Sequence, residues 1–142
     1  MDLLIKLDNN ILRVRVAILV KTENGYLFEK NKEYIFPIGG KIKLNESSLE
    51  AAQREIKEEL DIEIDIENFV FKSILENFYT DKNNIKVHEI CFIYEVKEIL
   101  SLNLPDNFVA VPVNEIDNFN IKPKIIVDLI KNNSSGSLVL NS

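Results

Sequence analysis

The sequence predicts an α/β fold in which a sheet is packed between helices. Two observations carry this. Several segments rich in β-branched residues surround one strongly patterned helix, and a second apolar helix stands near the end of the chain. The 142 residues fit one domain, and a hydrophobic content of 46% supplies a real core. No internal repeat or linker divides the chain, so residues 1–132 are expected to form the domain and 133–142 a flexible tail.

Taken in order, "ILRVRVAILV" (11–20) reads as a strand. Val14, Val16, Ile18 and Val20 share one face, and Arg13, Arg15, Ala17 and Leu19 the other. "TENG" reads as a turn with Asn24 and Gly25 at positive φ, followed by a returning strand from Tyr26 to Glu29. "FPIGG" (36–40) is expected to be a loop, because Pro37 and two glycines disfavour a regular element. The clearest helix is Ser47 to Leu60. Ser47 followed by Glu50 matches a capping box, and Leu49, Ala52, Ile56 and Leu60 recur at helical spacing. "IEIDI" (62–66) is expected to be a short strand, and Val70–Tyr79 and Lys86–Val96 two longer ones around the polar turn "TDKNN". "VPVNEIDNFN" reads as irregular, with Pro123 opening the last helix.

Composition narrows the function. A net charge of −6 argues against a nucleic-acid or membrane-surface binder, which normally presents a basic patch. It leaves room for a phosphate-bearing small ligand, since bound cations reverse the local sign. Cys91 is the single cysteine, so no internal disulfide forms, which suits a reducing cytosol. The start "MDLLIKLDNN" lacks the pattern of a signal peptide, and no apolar run reaches membrane-spanning length. A soluble cytoplasmic protein is expected.

The helix "REIKEEL" carries the chemistry. With Glu55 set at zero on the helical wheel, Glu59 lies roughly 40° to one side and Glu58 roughly 60° to the other. The three carboxylates therefore form a compact arc beside the buried stripe, and Arg54 is placed to pair with Glu58 at i+4. Three such charges repel one another without a cation. A hard divalent ion with oxygen ligation relieves that repulsion. The bland alternative is a solvated acidic face, the usual meaning of a charge run.

The wider spacing weighs against that alternative. Gly40, five residues, Glu46, seven residues, then Arg54-Glu55-Ile56-Lys57-Glu58-Glu59-Leu60-Asp61-Ile62 resembles the signature of the Nudix hydrolase superfamily, G-x5-E-x7-R-E-U-x-E-E-x-G-U, where U is a bulky aliphatic residue. Only Asp61 departs, standing where the family has glycine. It lies just past the helix, where a left-handed residue is common and Asp is better tolerated than most.

The resemblance implies an α/β/α sandwich with a mixed sheet and hydrolysis of a pyrophosphate linkage in a nucleoside diphosphate joined to another group. It implies that Glu55, Glu58 and Glu59 bind Mg²⁺ or Mn²⁺ with help from a backbone carbonyl of Gly39 or Gly40. Arg54 would then orient a glutamate, and Glu46 would support the loop-to-helix geometry or the metal shell. The implied partner is a small nucleotide, and dimerisation, common in the family, leaves a homodimer open. A nucleotide sensor built on the same fold is the rival reading, which the intact glutamate set disfavours.

Outside the signature, Arg13 and Arg15 are candidates for substrate phosphates, against a reading as outward edge charges. Phe36 is a candidate for base stacking, as are Tyr34, Phe78 and Tyr79, with core packing the default. Members of the family often use a general base outside the box. Glu89, in the otherwise apolar "HEICFIYEV", is the candidate for that base or for an extra ligand, with Glu76 behind it. Lys41 and Lys43 read as solvated, His88 as structural and Cys91 as a buried small hydrophobe.

Overall fold

The architecture is that of a computed structural model describing residues 1–132 and 137–141. Strand β1 (Leu4–Leu7) leads into the long β2 (Asn10–Leu19), followed by β3 (Lys21–Thr22), β4 (Gly25–Lys30), β5 (Ile35–Phe36) and β6 (Ile38–Lys41). Helix α1 (Ser48–Leu60) comes next, then β7 (Phe69–Thr80), β8 (Lys86–Val96), β9 (Phe108–Val111), α2 (Ile125–Asn132) and β10 (Ser137–Asn141). Among the described residues, one sheet has six strands in the order β1-β2-β8-β7-β10, with β6 also on β2. A second has four, β3-β4-β5, with β9 on β4.

The larger sheet is mixed. Strands β2 and β8 run parallel, as do β7 and β10, while β7/β8, β1/β2 and β2/β6 are antiparallel. A central strand buried on both sides should read as continuously apolar, and Val16 to Val20 does. Val16, Ile18 and Val20 pack with Ala51, Ala52 and Ile56 of α1. Ala17 and Leu19 pack with Ile126, Leu129 and Ile130 of α2. The strand's two faces thus feed two cores, and the sheet lies between the helices as an α/β/α sandwich.

Several local expectations need correction. "FPIGG" is not a loop: Pro37 only interrupts β5 and β6, and Gly39 and Gly40 pair with Ala17 and Val16. "IEIDI" forms no strand. Ile64 is buried in the α1-side core, and its carbonyl accepts from Gln53 Nε2 at 2.8 Å instead of from a neighbouring strand. In the tight turn only Gly25 has positive φ, at 125°, and Asn24 does not. Within "VPVNEIDNFN", Val111 closes β9 and Val113–Asn118 form a 3-10 helix. In the segment read as a flexible tail, Ser137–Asn141 pair parallel with β7, and the rest of it lies outside the described residues.

Candidate active site

Strand β6 and helix α1 meet at Gly40. A methyl group on Gly40 would stand 2.1 Å from Glu55 Oε1, and one on Gly39 would stand 2.3 Å from the Val16 carbonyl oxygen. Gly39 is therefore required by the close approach of the β2 backbone, and a side chain at Gly40 would displace the Glu55 carboxylate. The missing side chain of Gly40 is the space the Glu55 carboxylate occupies.

The helix is held at both ends. Ser47 Oγ accepts from the Glu50 N–H at 3.0 Å, and the Glu50 carboxylate accepts from the Ser47 N–H at 3.0 Å, completing the capping box. The Ser48 and Tyr94 hydroxyls, 2.6 Å apart, tie the first turn to β8. At the far end Asp61 is left-handed (φ 54°, ψ 38°), and its N–H donates to the Lys57 carbonyl. Its carboxylate is exposed and pairs with Lys57 at 3.1 Å.

Arg54 organises the acidic cluster. Its Nε and Nη2 donate to the two Glu46 carboxylate oxygens at 2.7 and 3.0 Å, a bidentate fork. Its Nη1 donates to Glu55 Oε1 at 3.0 Å and Glu58 Oε1 at 3.2 Å, and its Nη2 also reaches the Lys41 carbonyl. Glu46 in turn accepts from the Lys43 N–H. The hydrogen bonds from Arg54 hold the Glu46 carboxyl below its ordinary pKa, and those to Glu46 raise Arg54 above its own. Glu55 behaves oppositely. It is only 7% exposed, and burial raises its pKa against the pull of Arg54, with Glu58 and Glu59 pushing the same way as burial. Glu58 is open to solvent and Glu59 half-buried.

A further acid joins this side. Glu29 of β4 shares the strand face of Leu27, which belongs to the α1-side core. Burial raises its pKa, and so does the charge of Glu59, while Asn107 donates to its carboxylate. Glu29 lies far from the helix in sequence, and no local pattern marks it.

The donors suit a hard divalent cation: carboxylate oxygens on one rigid helix beside main-chain carbonyls, with no soft ligand. Burial and mutual repulsion at Glu55 are the disadvantages that such an ion offsets. In the conformation described, Arg54 draws Glu55 and Glu58 to itself. Among the described residues no three acidic, His or Cys side chains are gathered closely enough to hold an ion as they stand. Binding therefore requires the carboxylates to exchange part of their contact with Arg54 for the cation.

On the other face of the sheet lies a cleft of about 750 Å³. Gly39 lines it, so adjacent residues of β6 face the cleft and Glu55. Arg13, Arg15, Phe36 and Glu89 line it as well. Arg13 and Glu89 are register partners on β2 and β8, and Arg13 Nε donates to Glu89 Oε2 at 2.9 Å. Arg13 Nη2 also donates to the Tyr79 hydroxyl. The carboxylate in the apolar strand thus has its reason in Arg13, across the sheet from the α1 glutamates. Glu76 is paired with His88 Nε2 at 2.8 Å, and the His88 ring lies against Phe78. Phe36 tilts against Tyr34, whose ring carries Lys122 Nζ at 4.9 Å. Lys122 and Lys124 also line the cleft. Cys91 is buried, and desolvation pushes its thiol up to about 12, which makes it an inert apolar filler.

A model of the NUDIX domain matches residues 11–129. The chain belongs to the Nudix family. It is a pyrophosphohydrolase of that family, carried on the α/β/α sandwich described above. Solved structures agree in fold with this Nudix domain. A mutator MutT protein from Bacillus halodurans superposes with a TM-score of 0.69 at 20% identity, covering 83% of this chain and 81% of that one. A dihydroneopterin triphosphate pyrophosphohydrolase from E. coli gives 0.60 at 13% identity, covering 84% and 92%. The Ap4A hydrolase of C. elegans gives 0.56 at 16%, covering 84% and 94%. No curated protein sequence matches this Nudix chain.

Proposed function

We propose that this Nudix domain hydrolyses a pyrophosphate bond in a nucleoside diphosphate joined to a further group, and that it needs a divalent cation to do so. Glu55, Glu58 and Glu59 would hold Mg²⁺ or Mn²⁺, with a main-chain carbonyl of Gly39 or Gly40. The observation that carries this is the buried Glu55 carboxylate, seated where Gly40 has no side chain and braced by Arg54. A merely solvated acidic face has no use for such a seat.

Held by Glu55, Glu58 and Glu59, a divalent cation would supply charge neutralisation at phosphate oxygens and a lowered pKa for the attacking water. The chain's own residues position and tune. Arg54, fixed by Glu46, holds Glu55 and Glu58 at a set orientation and limits their repulsion. Glu55, raised by burial, and half-exposed Glu59 supply carboxylates able to accept a proton from water near the linkage. Arg13, Arg15 and Phe36 line the cleft that receives the rest of the substrate. Glu89 anchors Arg13 there and is assigned no role as base.

The test is Glu58→Gln. Its side chain is half exposed, so the fold and unfolding temperature should be retained, while turnover falls about a hundredfold or more. Near-normal rates would remove the carboxylate assignment. The substrate panel should include Ap4A and dihydroneopterin triphosphate, the compounds in the neighbours' names, beside nucleoside triphosphates and sugar nucleotides, each with Mg²⁺ and Mn²⁺.

A further inference from the structure

The cleft is cationic in a protein that is not. The chain carries a net charge of −6. Among the described residues its cleft is lined by Arg13, Arg15, Lys122 and Lys124 against the single carboxylate of Glu89. That carboxylate is already spent on Arg13, at 2.9 Å. Among the described residues, Arg15, Lys122 and Lys124 have no carboxylate within ion-pair distance. Arg15 is half-buried on β2, on the strand face it shares with Arg13 and the buried Ala17. A guanidinium placed there without a counter-charge loses hydration and gains nothing in the absence of an anion. Lys122 Nζ stands over the Tyr34 ring at 4.9 Å, so a cation–π contact holds the ammonium itself at the cleft.

From this geometry we infer that the cleft is an anion subsite, with Arg15, Lys122 and Lys124 as its binding groups. The substrate class follows: the group joined to the nucleoside diphosphate carries a phosphate of its own, seated on the cleft side of β6 while the pyrophosphate lies on the glutamate side. This rests on the pyrophosphohydrolase reading for its catalytic part, but the binding part stands alone. The subsite recognises negative charge carried by the group beyond the scissile linkage. It discriminates against neutral groups because an unfilled subsite leaves Arg15 without a partner.

Two measurements test it. The first compares hydrolysis of two substrates that differ only in whether the sugar beyond the pyrophosphate bears a phosphate. The wild type should prefer the phosphorylated one by about tenfold or more in kcat/KM, the scale of a charge-assisted contact, and Arg15→Gln should bring that preference close to one. The second is calorimetric titration of inorganic phosphate and of a sugar phosphate in chelator, without metal. Wild type and Glu58→Gln should bind alike and weaken as salt rises, with Arg15→Gln about tenfold weaker. Lys122→Gln should weaken binding in the same direction and serves if Arg15→Gln does not fold. Phosphate binding that is absent, or indifferent to Arg15 and Lys122, overturns the subsite even if pyrophosphate is hydrolysed. Arg15-dependent phosphate binding with no hydrolysis of any nucleotide upholds the subsite and defeats the catalytic reading instead.

Discussion

Arg54 satisfies Glu46 with a bidentate fork and shares a third nitrogen between Glu55 and Glu58, so one guanidinium sets the position of three carboxylates. Two glutamates of this cluster pull stability in opposite directions. Glu46 is held below the ordinary carboxylate pKa by Arg54, so folding favours its charged form. That stabilisation is fully present above the unfolded value of about 4.3 and is lost as pH falls through the lower folded value. Glu46→Gln should therefore cost about 1–2 kcal/mol at pH 7, the scale of hydrogen bonds to a charged group, and the gap to wild type should close below about pH 4. Urea unfolding at both pH values measures it, and a gap independent of pH would show that the fork contributes nothing. Glu55, raised by burial, has the reverse sign: the folded state favours its neutral form, and stability is lost as pH rises through the folded value. Glu55, Glu58 and Glu59 were legible because they lie on a single helix, where spacing alone gives direction. Glu29 was not, since only the pairing of β4 between β5 and β9 brings it to that side.

At the scale of elements, α1 settles the one break in the signature. Asp61 takes the left-handed conformation that glycine would adopt, caps the helix through its N–H and points an exposed carboxylate at Lys57. It is a helix-end substitution, turned away from the acid cluster. Asp61→Gly should raise stability by roughly 0.5–1 kcal/mol, because glycine escapes the left-handed penalty while the exposed pair with Lys57 contributes little. Thermal unfolding reads the gain, and a loss in stability would mean that the Lys57 pair outweighs the backbone strain. The misreading of "FPIGG" as a loop has a physical cause. Glycine and proline ordinarily break regular elements, yet the absence of side chains at Gly39 and Gly40 is what lets β6 lie against Val16 and Glu55. The long strands and the capped helix were readable from period and caps. The pairings of β2 with β8 and of β10 with β7 were not, since no local pattern encodes a partner distant in sequence.

Across the whole molecule, two cores and one sheet carry a site that spans both faces. The acid cluster stands on the α1 side and the basic cleft on the α2 side, which explains how a chain of net charge −6 presents a cationic pocket. Among the described residues, no helix is long and apolar enough to cross a membrane. A cation that binds only the folded state should stabilise it. At a hundred times its Kd the gain is about 2.7 kcal/mol, or roughly 5–10 °C in unfolding temperature for a domain of this size. Mg²⁺ and Mn²⁺ titrations followed by calorimetry measure this, and Glu58→Gln should reduce the shift. An unfolding temperature unmoved by either ion would rule out the metal assignment.

Strand β6 offers alternate residues to opposite sides, Gly40 to the carboxylates and Gly39 to the cleft. On the proposed reading, chemistry and selectivity would lie on separate surfaces, and the cleft could be remodelled by substitution without touching the α1 carboxylates. Length changes are a different matter. Deleting one residue between Pro37 and Lys41 would exchange the two faces, setting a side chain against Glu55 and leaving the cleft rim out of phase. Variation is thus free in identity at the cleft positions outside β6, while within β6 the two glycines and the residue count are both fixed.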